Sequence, residues 1–397
     1  MSDESPPDSE FASPFGPDPE PGPEATEGPR RAQPGRARHG IRWGRIVIIT
    51  IAVLFATVAG AVAYFGMQLN QSVSNITRES LLPTGSRPPS ASTTPNATYT
   101  AMNILLIGSD YRPKEGERSD TFIVLHVSAD RKSVYLVSFP RDMWVTIPGY
   151  GKAKINAGFA YGGSVLAVST IENLTGARID HVVVTNFANF MGLVNTVGPI
   201  TVDNPVGSTA RDDRGVKYSF PKGPLVITDG YMALAFARQR EELPNGDLDR
   251  TLRQRAFLKA LALKVATPEV LTNPVKLNEI IATIGKYVTV DAGMTNNAIY
   301  SLGLSMTGIT HADQIHMVMA PITGFGMING QSVDNFDVAG VAALGQALQN
   351  DTMAAFVAAY PKTEYGYAPS GAPSASAAAT KAATTAKATA TATKKKP

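Results

Sequence analysis

The chain has 397 residues, of which 44% are hydrophobic and 17% are charged, with a formal net charge of +3 and no cysteine. This composition is typical of a globular protein and excludes both a fully disordered chain and a protein with many membrane spans. The absence of cysteine excludes disulfide bonds, a thiol nucleophile and a cysteine-ligated metal site.

The N-terminal region is predicted to cross a membrane once. Residues 1–45, rich in Pro, Gly and charged side chains, are predicted to form a disordered cytoplasmic tail. Residues 46–66 are uncharged, and as a helix they would be about 30 Å long, which is the thickness of a bilayer core. Arginines cluster before this segment, and no Lys or Arg follows it until Arg78, which predicts a cytoplasmic N-terminus and an extracytoplasmic domain. A cleaved signal peptide is the alternative, but the long lead-in and the length of the apolar run favour a single-pass anchor in the cell membrane.

The pattern after residue 66 predicts a linker, one folded domain and a tail. Residues 67–98 are dominated by Ser, Thr, Asn and Pro and are predicted to be a stalk, and 366–397 form an Ala/Thr/Lys-rich tail predicted to be disordered. Residues 99–365 between them are predicted to fold.

Strands and helices alternate along this predicted domain. Buried strands are predicted from continuous apolar runs at 102–107, 121–127, 133–139, 181–185 and 314–319. Helices are predicted from helical spacing at 157–175, where Gly176 follows as a C-cap, and at 187–194, 229–237, 248–266, 276–285, 294–306 and 336–349. The alternation predicts an α/β domain in which a central mixed β-sheet is covered by helices on both faces.

Several kinds of site are excluded by missing motifs. The sequence has no His-Glu-x-x-His pair and no Gly-x-Ser-x-Gly elbow, and Gly149-Tyr150-Gly151-Lys152 lacks the spacing of a Walker loop. It also shows no helix-turn-helix and no basic DNA-binding face, so no nucleic acid partner is expected. What remains is a set of acids and arginines at predicted strand ends and in loops, where sites on α/β sheets form.

The arginines of the predicted 248–266 helix indicate an anion site. Arg250 and Gln254 are four residues apart and share a face with the apolar Phe257 and Leu261, so both point toward the core. A buried cation needs a carboxylate or a bound anion as partner. The planar guanidinium group suits phosphate, and several of these groups together would neutralise a pyrophosphate. The alternative is that the arginines form surface salt bridges with Asp142, Asp247 and Asp249.

Two further acids are candidate metal ligands. Asp110 and Asp120 follow or begin predicted strands, and Mg²⁺ in proteins is bound through one or two carboxylates together with phosphate oxygens. The sequence therefore predicts Mg²⁺ or Mn²⁺ beside the pyrophosphate.

Taken in order, these residues resemble the LytR-CpsA-Psr family. The resemblance covers most of residues 100–265 and is looser over 268–360, and it rests on the order and spacing of Gly108-Ser109-Asp110, Arg118-Ser119-Asp120-Thr121, Ser138-Phe139-Pro140-Arg141-Asp142, Lys154-Ile155-Asn156, Arg238-Gln239-Arg240, Asp249-Arg250 and Arg253-Gln254. It implies an extracytoplasmic three-layer α/β domain that moves a glycopolymer phosphate from a polyprenyl-pyrophosphate carrier to peptidoglycan.

The resemblance also implies a role for individual residues. The implied metal ligands are Asp110 and Asp120. The implied pyrophosphate ligands are Arg118, Arg141, Arg238, Arg240, Arg250 and Gln254, and the implied catalytic residues are Asp120, Arg141, Arg238 and Arg240. The apolar side chains of Phe159, Leu166, Phe187, Phe190 and Leu193 are candidates for a lipid slot, although such side chains more often form plain hydrophobic core. Family members hold the prenyl chain in an apolar channel, which would give such a slot a purpose.

Two other functions stay open from the sequence. One is a hydrolase of the same lipid pyrophosphates with water as the acceptor, and the other is a non-catalytic protein that binds the lipid-linked glycan or has a regulatory role. The sequence also leaves the glycan open among a teichoic acid, a capsule and an arabinogalactan.

Overall fold

A computed structural model describes residues 43–91, 97–112, 116–186, 190–240, 242–361 and 363. Its contacts divide the chain into two units, Met1–Thr57 and Val58–Pro397. The predicted disordered tails lie outside the described residues, except for residues 43–45, which begin the first helix.

The predicted membrane segment at 46–66 lies within that first helix, and the side chains of 46–53 are outside the described ones. No helix among the described residues is both long enough and apolar enough to cross a membrane.

The helices are given in chain order. They are α1 (Trp43–Ser74), α2 (Ile155–Thr175), α3 (Phe190–Val197), α4 (Gly230–Arg238), α5 (Asp247–Val265), α6 (Pro268–Leu271), α7 (Pro274–Gly285), α8 (Asn296–Ser305), α9 (Val338–Asn350) and α10 (Met353–Ala359). The strands are β1 (Thr77–Glu79), β2 (Met102–Arg112), β3 (Gly116–Val127), β4 (Val134–Phe139), β5 (Trp144–Ile147), β6 (Gly151–Lys154), β7 (His181–Asn186), β8 (Ile200–Asn204), β9 (Ser208–Arg211), β10 (Lys217–Phe220), β11 (Gly223–Ile227), β12 (Val288–Asp291), β13 (Ile315–Met319), β14 (Ile322–Ile328) and β15 (Gln331–Phe336).

Within the described residues, seven strands form a central sheet in the order β1-β12-β7-β2-β3-β4-β13. The sheet is mixed, as predicted, because β2 is parallel to β7 and antiparallel to β3, while β13 is parallel to β4. The pairs β5-β6, β8-β11, β9-β10 and β14-β15 form two-stranded antiparallel sheets.

Both faces of the central sheet are covered by helices. On one face Leu105 and Phe122 belong to an apolar core with Val168 of α2 and Leu344 of α9. On the other face Ile123, next to Phe122 in sequence, lies in a second core with side chains of α5 that include Leu258. Neighbouring residues point to opposite faces of a strand, which explains why these strands are continuously apolar.

The structure corrects the predicted linker at 67–98. Val73 and Ile76 are buried in a small core with Val290, β1 pairs in parallel with β12, and Leu81 enters the main core. The Ser- and Thr-rich composition concealed these few apolar residues. Each of them is buried because the sheet extends to meet this segment.

Candidate active site

Asp120 lies at an irregularity in the longest strand pair. Gly108 pairs with Thr121 and Ser109 pairs with Ser119, so Asp120 is an extra residue on β3 with no partner in the β2-β3 register. Such a bulge re-aims side chains and lets neighbouring residues reach the same side. Here Asp120 and Thr121 both contact α5, although in a regular strand they would point to opposite faces.

Helix α5 presents the face that the sequence predicts. Arg250 and Gln254 are both buried, at 4% exposure each, as is the apolar Phe257. Nη1 of Arg250 is 3.3 Å from Oδ2 of Asp120, and its Nη2 is 2.7 Å from Oδ1 of Asp247. The cation that the helical pattern turns inward is therefore compensated by carboxylates.

Arg141 connects this group to a loop held by α2. The first N–H groups of α2 have no partner within the helix, and those of Ile155 and Asn156 donate to the carbonyls of Met143 and Arg141. The Arg141 side chain donates from Nη1 to Oδ1 of Asp120 at 2.5 Å, and its Nε is 3.1 Å from Oδ1 of Asp247. The loop and the helix thus bring Arg141 to the same two acids as Arg250.

A second ion pair extends the group. Nζ of Lys154, at the start of α2, is 2.7 Å from Oδ1 of Asp142, and Oδ2 of Asp142 is 3.6 Å from Nε of Arg141. Residues from β3, the 140–143 loop, the β6-α2 junction and α5 therefore form one network of alternating charge.

The network shifts the ionisation of its members. Burial alone would lower the pKa of Arg141, but the carboxylates of Asp247 and Asp120 outweigh it and raise that pKa. Burial raises the pKa of Asp247, against the opposing effect of Arg250 and Arg141. Asp334 on β15 lies behind Asp142, and burial together with the charges of Asp142 and Asp247 raises its pKa to about 7.

The network opens into a charged cavity of about 590 Å³. Its wall carries acids, cations, amides and aromatic rings, and consists of Asp120, Arg141, Asp142, Trp144, Lys152, Ala153, Lys154, Asn156, Ala157, Ala160, Tyr161, Arg240 and Gln331.

An apolar cavity of about 160 Å³ is lined in part by residues next to the charged network. Its lining comes from β2, β3, β7, the helices α3, α4, α5 and α7, and the start of β12, and includes Leu106, Ile123, Val183, Leu193, Ala233, Ala237, Leu258, Leu261, Ile284 and Tyr287. Thr121 and Gln254 line it too, and the Thr121 hydroxyl donates to Oε1 of Gln254 at 2.8 Å. Thr121 follows Asp120 on β3, and Gln254 is one helical turn after Arg250 on α5. Both residues of the apolar lining are therefore next to members of the charged network.

The other predicted phosphate ligands are placed less centrally. Arg240 lines the charged cavity, whereas Arg238, at the end of α4, lines a smaller adjoining cavity of about 120 Å³ with Asp213, whose Oδ2 is 3.7 Å from Nη1 of Arg238. Asp110 and Arg118 face each other across β2 and β3, and their side chains lie outside the described ones. The roles predicted for these four residues stay predictions.

The alternative of salt bridges describes part of what is observed. Arg141 does pair with Asp142 and Asp247, but the pairs are mostly buried and share one network. Asp249 takes a different partner, because its carboxylate accepts from the backbone N–H and the side-chain amide of Asn245.

Among the candidates for the apolar channel, Leu193 lines the apolar cavity. Phe159 is buried in the main core and Leu166 packs against that core, so these two predictions are wrong. Their helix, α2, covers the opposite face of the sheet. The side chains of Phe187 and Phe190 lie outside the described ones.

Two further arginines of α5 are fully buried. Nη2 of Arg253 donates to the Val206 carbonyl at 2.6 Å and to the Ser208 hydroxyl at 2.7 Å, and burial lowers the pKa of Arg253 to about 10. Arg255 has no hydrogen-bond partner among the described residues, and burial lowers its pKa to about 9. Neither lines the two large cavities, so burial alone does not identify the arginines of the site.

Sequence reasoning missed the contribution of β15 and of the β5-β6 hairpin to the site. Asn329-Gly330, the turn between β14 and β15, is an ordinary signal for a two-residue hairpin, and both residues have positive φ. That signal was sufficient to find the hairpin that carries Asp334.

The acids of the site could hold part of a metal's coordination shell. No group of three or more His, Cys, Asp or Glu side chains suited to a metal is found in the described part of the chain. However, Mg²⁺ needs only one or two carboxylates when phosphate oxygens complete its shell. Asp120, at the edge of the charged cavity, meets that requirement. The acids here already offset Arg141 and Arg250, so a bound pyrophosphate would need added positive charge.

Comparison with known proteins gives a consistent family. The sequence profile of the LytR_cpsA_psr family matches residues 63–350. A protein of Enterococcus faecalis named polyisoprenyl-teichoic acid–peptidoglycan teichoic acid transferase TagU is 35% identical over 255 residues, which are 63% of this chain and 79% of that protein. A protein of the same name from Bacillus cereus is 36% identical over 188 residues, 47% of this chain and 59% of that protein.

Solved structures agree on the fold. The crystal structure of B. subtilis TagV superposes with a TM-score of 0.55 at 28% identity, over 64% of this chain and 97% of that one. The LytR-Csp2A-Psr enzyme from Actinomyces oris gives a TM-score of 0.52 at 20% identity, over 70% of this chain and 98% of that one.

Proposed function

Because the chain belongs to the LytR_cpsA_psr family, we propose that it transfers a glycopolymer phosphate from a polyprenyl-pyrophosphate carrier to peptidoglycan. The observation that carries this proposal is that Thr121 lines the apolar cavity while its neighbour on β3, Asp120, lines the charged cavity. A prenyl pyrophosphate has the same two parts, a hydrocarbon chain joined directly to a dense negative charge.

The apolar cavity suits the hydrocarbon part. Its lining is aliphatic or aromatic apart from Thr121, Thr185, Gln254 and Tyr287, and the polar ends of Thr121 and Gln254 are satisfied by each other and by the Ala237 carbonyl. A prenyl chain in this cavity leaves water without requiring a new hydrogen bond, which is favourable by about 25 cal/mol for each Å² of apolar surface.

The charged cavity suits the pyrophosphate. Arg141 and Arg250 are fixed before substrate arrives, because Asp120 and Asp247 hold them in place. Preorganised donors stabilise the charge that develops in the transition state more than they stabilise the ground state. In phosphoryl transfer that charge grows on the leaving group, here the prenyl phosphate.

The reaction needs no covalent enzyme intermediate. A sugar hydroxyl of peptidoglycan forms a bond to the phosphorus that carries the glycan, the phosphoanhydride bond to prenyl phosphate breaks, and a carboxylate takes the hydroxyl proton. Asp120 and Asp142 line the charged cavity and are candidates for this carboxylate. The anhydride bond supplies the driving force, so no ATP is required.

The proposal includes Mg²⁺ or Mn²⁺ as cofactor, held by Asp120 and Asp110. The ion would supply positive charge beside the leaving phosphate. We also propose that residues 46–66 anchor the protein in the cell membrane with the N-terminus cytoplasmic, which places the domain on the side where peptidoglycan is assembled.

The test is a reconstituted reaction. The full chain in lipid nanodiscs is incubated with a synthetic polyprenyl-pyrophosphate glycan, Mg²⁺ and nascent peptidoglycan, and mass spectrometry is used to detect glycan phosphate joined to the wall polymer. Covalent attachment by the wild type supports the transferase. Release of glycan phosphate into solution with no attachment would replace it with a hydrolase, and binding without turnover would replace it with a non-catalytic protein.

A further inference from the structure

Two tyrosines form an exposed stack at the edge of the charged cavity. The rings of Tyr150 and Tyr161 have centroids 4.9 Å apart with 27° between their planes, yet the residues are 59% and 51% exposed. Tyr161 itself lines the cavity. A stacked aromatic pair that stays in solvent buries little surface, so its contribution to folding is small.

The backbone places both rings with unusual conformations. Tyr150 is at the tip of the β5-β6 hairpin, between Gly149 and Gly151, whose φ angles are 79° and 82°. Positive φ is a conformation that glycine adopts without strain and other residues rarely adopt.

Tyr161 immediately precedes a break in α2. Gly162 and Gly163 have non-helical angles there, and Gly163 has a φ of 59°. A Cβ on Gly162 would lie 2.7 Å from Cβ of Leu166, so a larger residue would force a shift. Glycines on two separate elements, the β5-β6 hairpin and α2, thus position the two rings of one exposed aromatic surface.

The wall between this stack and the ion pairs is suited to a saccharide. Trp144, Lys152 and Asn156 offer an aromatic ring, a cation and an amide, and the small side chains of Ala157 and Ala160 leave room between them. Sugars combine C–H faces, which pack on aromatic rings, with hydroxyls that need hydrogen-bond partners.

The geometry of the proposed reaction indicates whether the saccharide at this wall belongs to the donor or to the acceptor. The leaving prenyl phosphate points toward the apolar cavity, and the attacking and leaving oxygens lie roughly in line across the phosphorus. The attacking hydroxyl therefore approaches from the side away from Thr121 and Gln254. The β5-β6 hairpin and the first half of α2 line the charged cavity, and none of their residues is in the lining of the apolar cavity.

We propose that the stack of Tyr150 and Tyr161, with Trp144, Lys152 and Asn156, is the subsite for the acceptor glycan strand. This inference rests on the proposed function for the identity of the acceptor. The tyrosines position the strand and take no part in the bond changes.

The first experiment measures binding and needs no turnover. Soluble peptidoglycan strands are titrated into the full-length wild type and the double variant Tyr150→Ala, Tyr161→Ala by isothermal titration calorimetry. We expect the dissociation constant to rise about tenfold, which corresponds to the loss of one good aromatic contact. Tyr161→Phe, which keeps the ring, is expected to stay within about twofold of wild type.

Tyr99→Ala is the matched control for loss of an exposed aromatic ring. Tyr99 is 44% exposed and packs on Arg131, at the end of the sheet far from Asp120. An unchanged dissociation constant in the double variant, or no binding by wild type, would overturn the subsite whether or not the protein is a transferase.

The second experiment separates acceptor from donor. In the transfer reaction the double alanine variant should raise the half-saturating concentration of peptidoglycan about tenfold and leave that of the lipid donor within about twofold. A rise for the donor alone would assign the stack to the donor glycan and overturn the proposal. If the wild type transfers normally and the double variant has the same half-saturating concentrations as wild type for both substrates, the subsite is removed and the proposed function stands.

Discussion

The apolar cavity and the charged cavity are built in different ways. The apolar cavity is formed by packing between helices and strands, and its residues are the inward positions of regular elements. The charged cavity is formed by irregular backbone, namely the bulge at Asp120, the loop around Arg141 and the hairpin at Tyr150. Regular elements provide a hydrophobic slot, while departures from regularity turn polar side chains toward one point.

The two regions also differ in their balance of charge. In the apolar cavity every polar atom of Gln254 has a partner. In the charged region Asp120, Asp142 and Asp247 already surround Arg141, and Asp334 adds an acid with a raised pKa. The polar atoms of Gln254 in the apolar cavity are thus already paired, whereas the charged cavity lies beside ionised groups that can bind further ions.

The largest expected effect comes from removing Arg141. Arg141→Ala should lower the rate of transfer roughly 100- to 1,000-fold, because a fixed donor to developing charge is lost. Arg141→Lys should recover part of the rate, since it restores the charge and not the planar fork. The measurement is the initial rate at saturating donor.

Arg178→Ala is the control for this prediction, because Arg178 is a partly exposed arginine three residues before β7, with its Nε 3.8 Å from Oδ1 of Asp180. Its rate should stay within about twofold of wild type. A rate for Arg141→Ala within that same range would show that the charged cavity does not hold the reacting phosphate.

Asp334 gives the next largest effect, on stability. Burial and the neighbouring carboxylates raise its pKa to about 7, while the unfolded chain has the ordinary value near about 4. The folded state therefore binds the extra proton between these values, and stability is lost as the pH rises from about 4 to about 7. Asp334→Asn removes the titrating group and should raise the free energy of unfolding by about 2–4 kcal/mol at pH 8 and change it little at pH 4.

Urea unfolding at the two pH values measures this difference. Asp203→Asn, at an exposed position of β8, serves as the control and should change the free energy by less than about 0.5 kcal/mol at both pH values. Equal effects of Asp334→Asn at the two pH values would mean that the carboxyl is not held protonated by its surroundings.

The sequence predicts most of the central sheet, because its strands are buried on both faces. Continuous apolar runs mark β2, β3, β4 and β7, and Gly176 ends α2 with a φ of 70° as a C-cap should. The short strands β8 to β11 were not predicted, because each has only four or five residues and none is buried along its whole length. A pattern of that length does not stand out from a loop.

The candidate site could be predicted in part. Arg250 and Gln254 are buried, as helical spacing predicts, but Arg253 and Arg255 are also buried on other sides of the helix, which the spacing does not predict. The bulge that aims Asp120 leaves no local mark in the sequence, because the register depends on pairing with β2. The family resemblance supplied Asp120 and Arg141, and their functional roles stay predictions. Tyr150 was noted only within a rejected phosphate-binding motif. Its stacking on Tyr161 depends on how the hairpin packs beside α2, which the sequence does not show.

Filling the apolar cavity should have a smaller effect, confined to the lipid part of the donor. Ala233 on α4 is 2% exposed and lines the cavity. Ala233→Phe should raise the half-saturating concentration of a long-chain prenyl donor roughly 10- to 100-fold, because the ring takes the place of the chain. A donor with a short prenyl chain should be affected less.

Overpacking can itself cost about 1–3 kcal/mol of stability, so Ala233→Leu provides a milder variant expected to show an intermediate value. Ala339→Phe, on the exposed side of α9, controls for the added ring. Equal effects on long- and short-chain donors would separate this cavity from lipid binding.

The smallest expected effect concerns the hydrogen bond between Thr121 and Gln254 in the lining of the apolar cavity. Thr121→Val keeps the shape of the side chain and removes the hydroxyl that donates to Oε1 of Gln254. The buried amide oxygen then lacks this donor, which should lower the free energy of unfolding by about 1 kcal/mol. Thr170→Val is the matched control, because the Thr170 hydroxyl donates to a helix carbonyl, that of Leu166.

In a double-mutant cycle, Gln254→Leu should cost less in the Thr121→Val background than in wild type, since both partners are then apolar. Additive costs would show that Thr121 and Gln254 do not interact with each other.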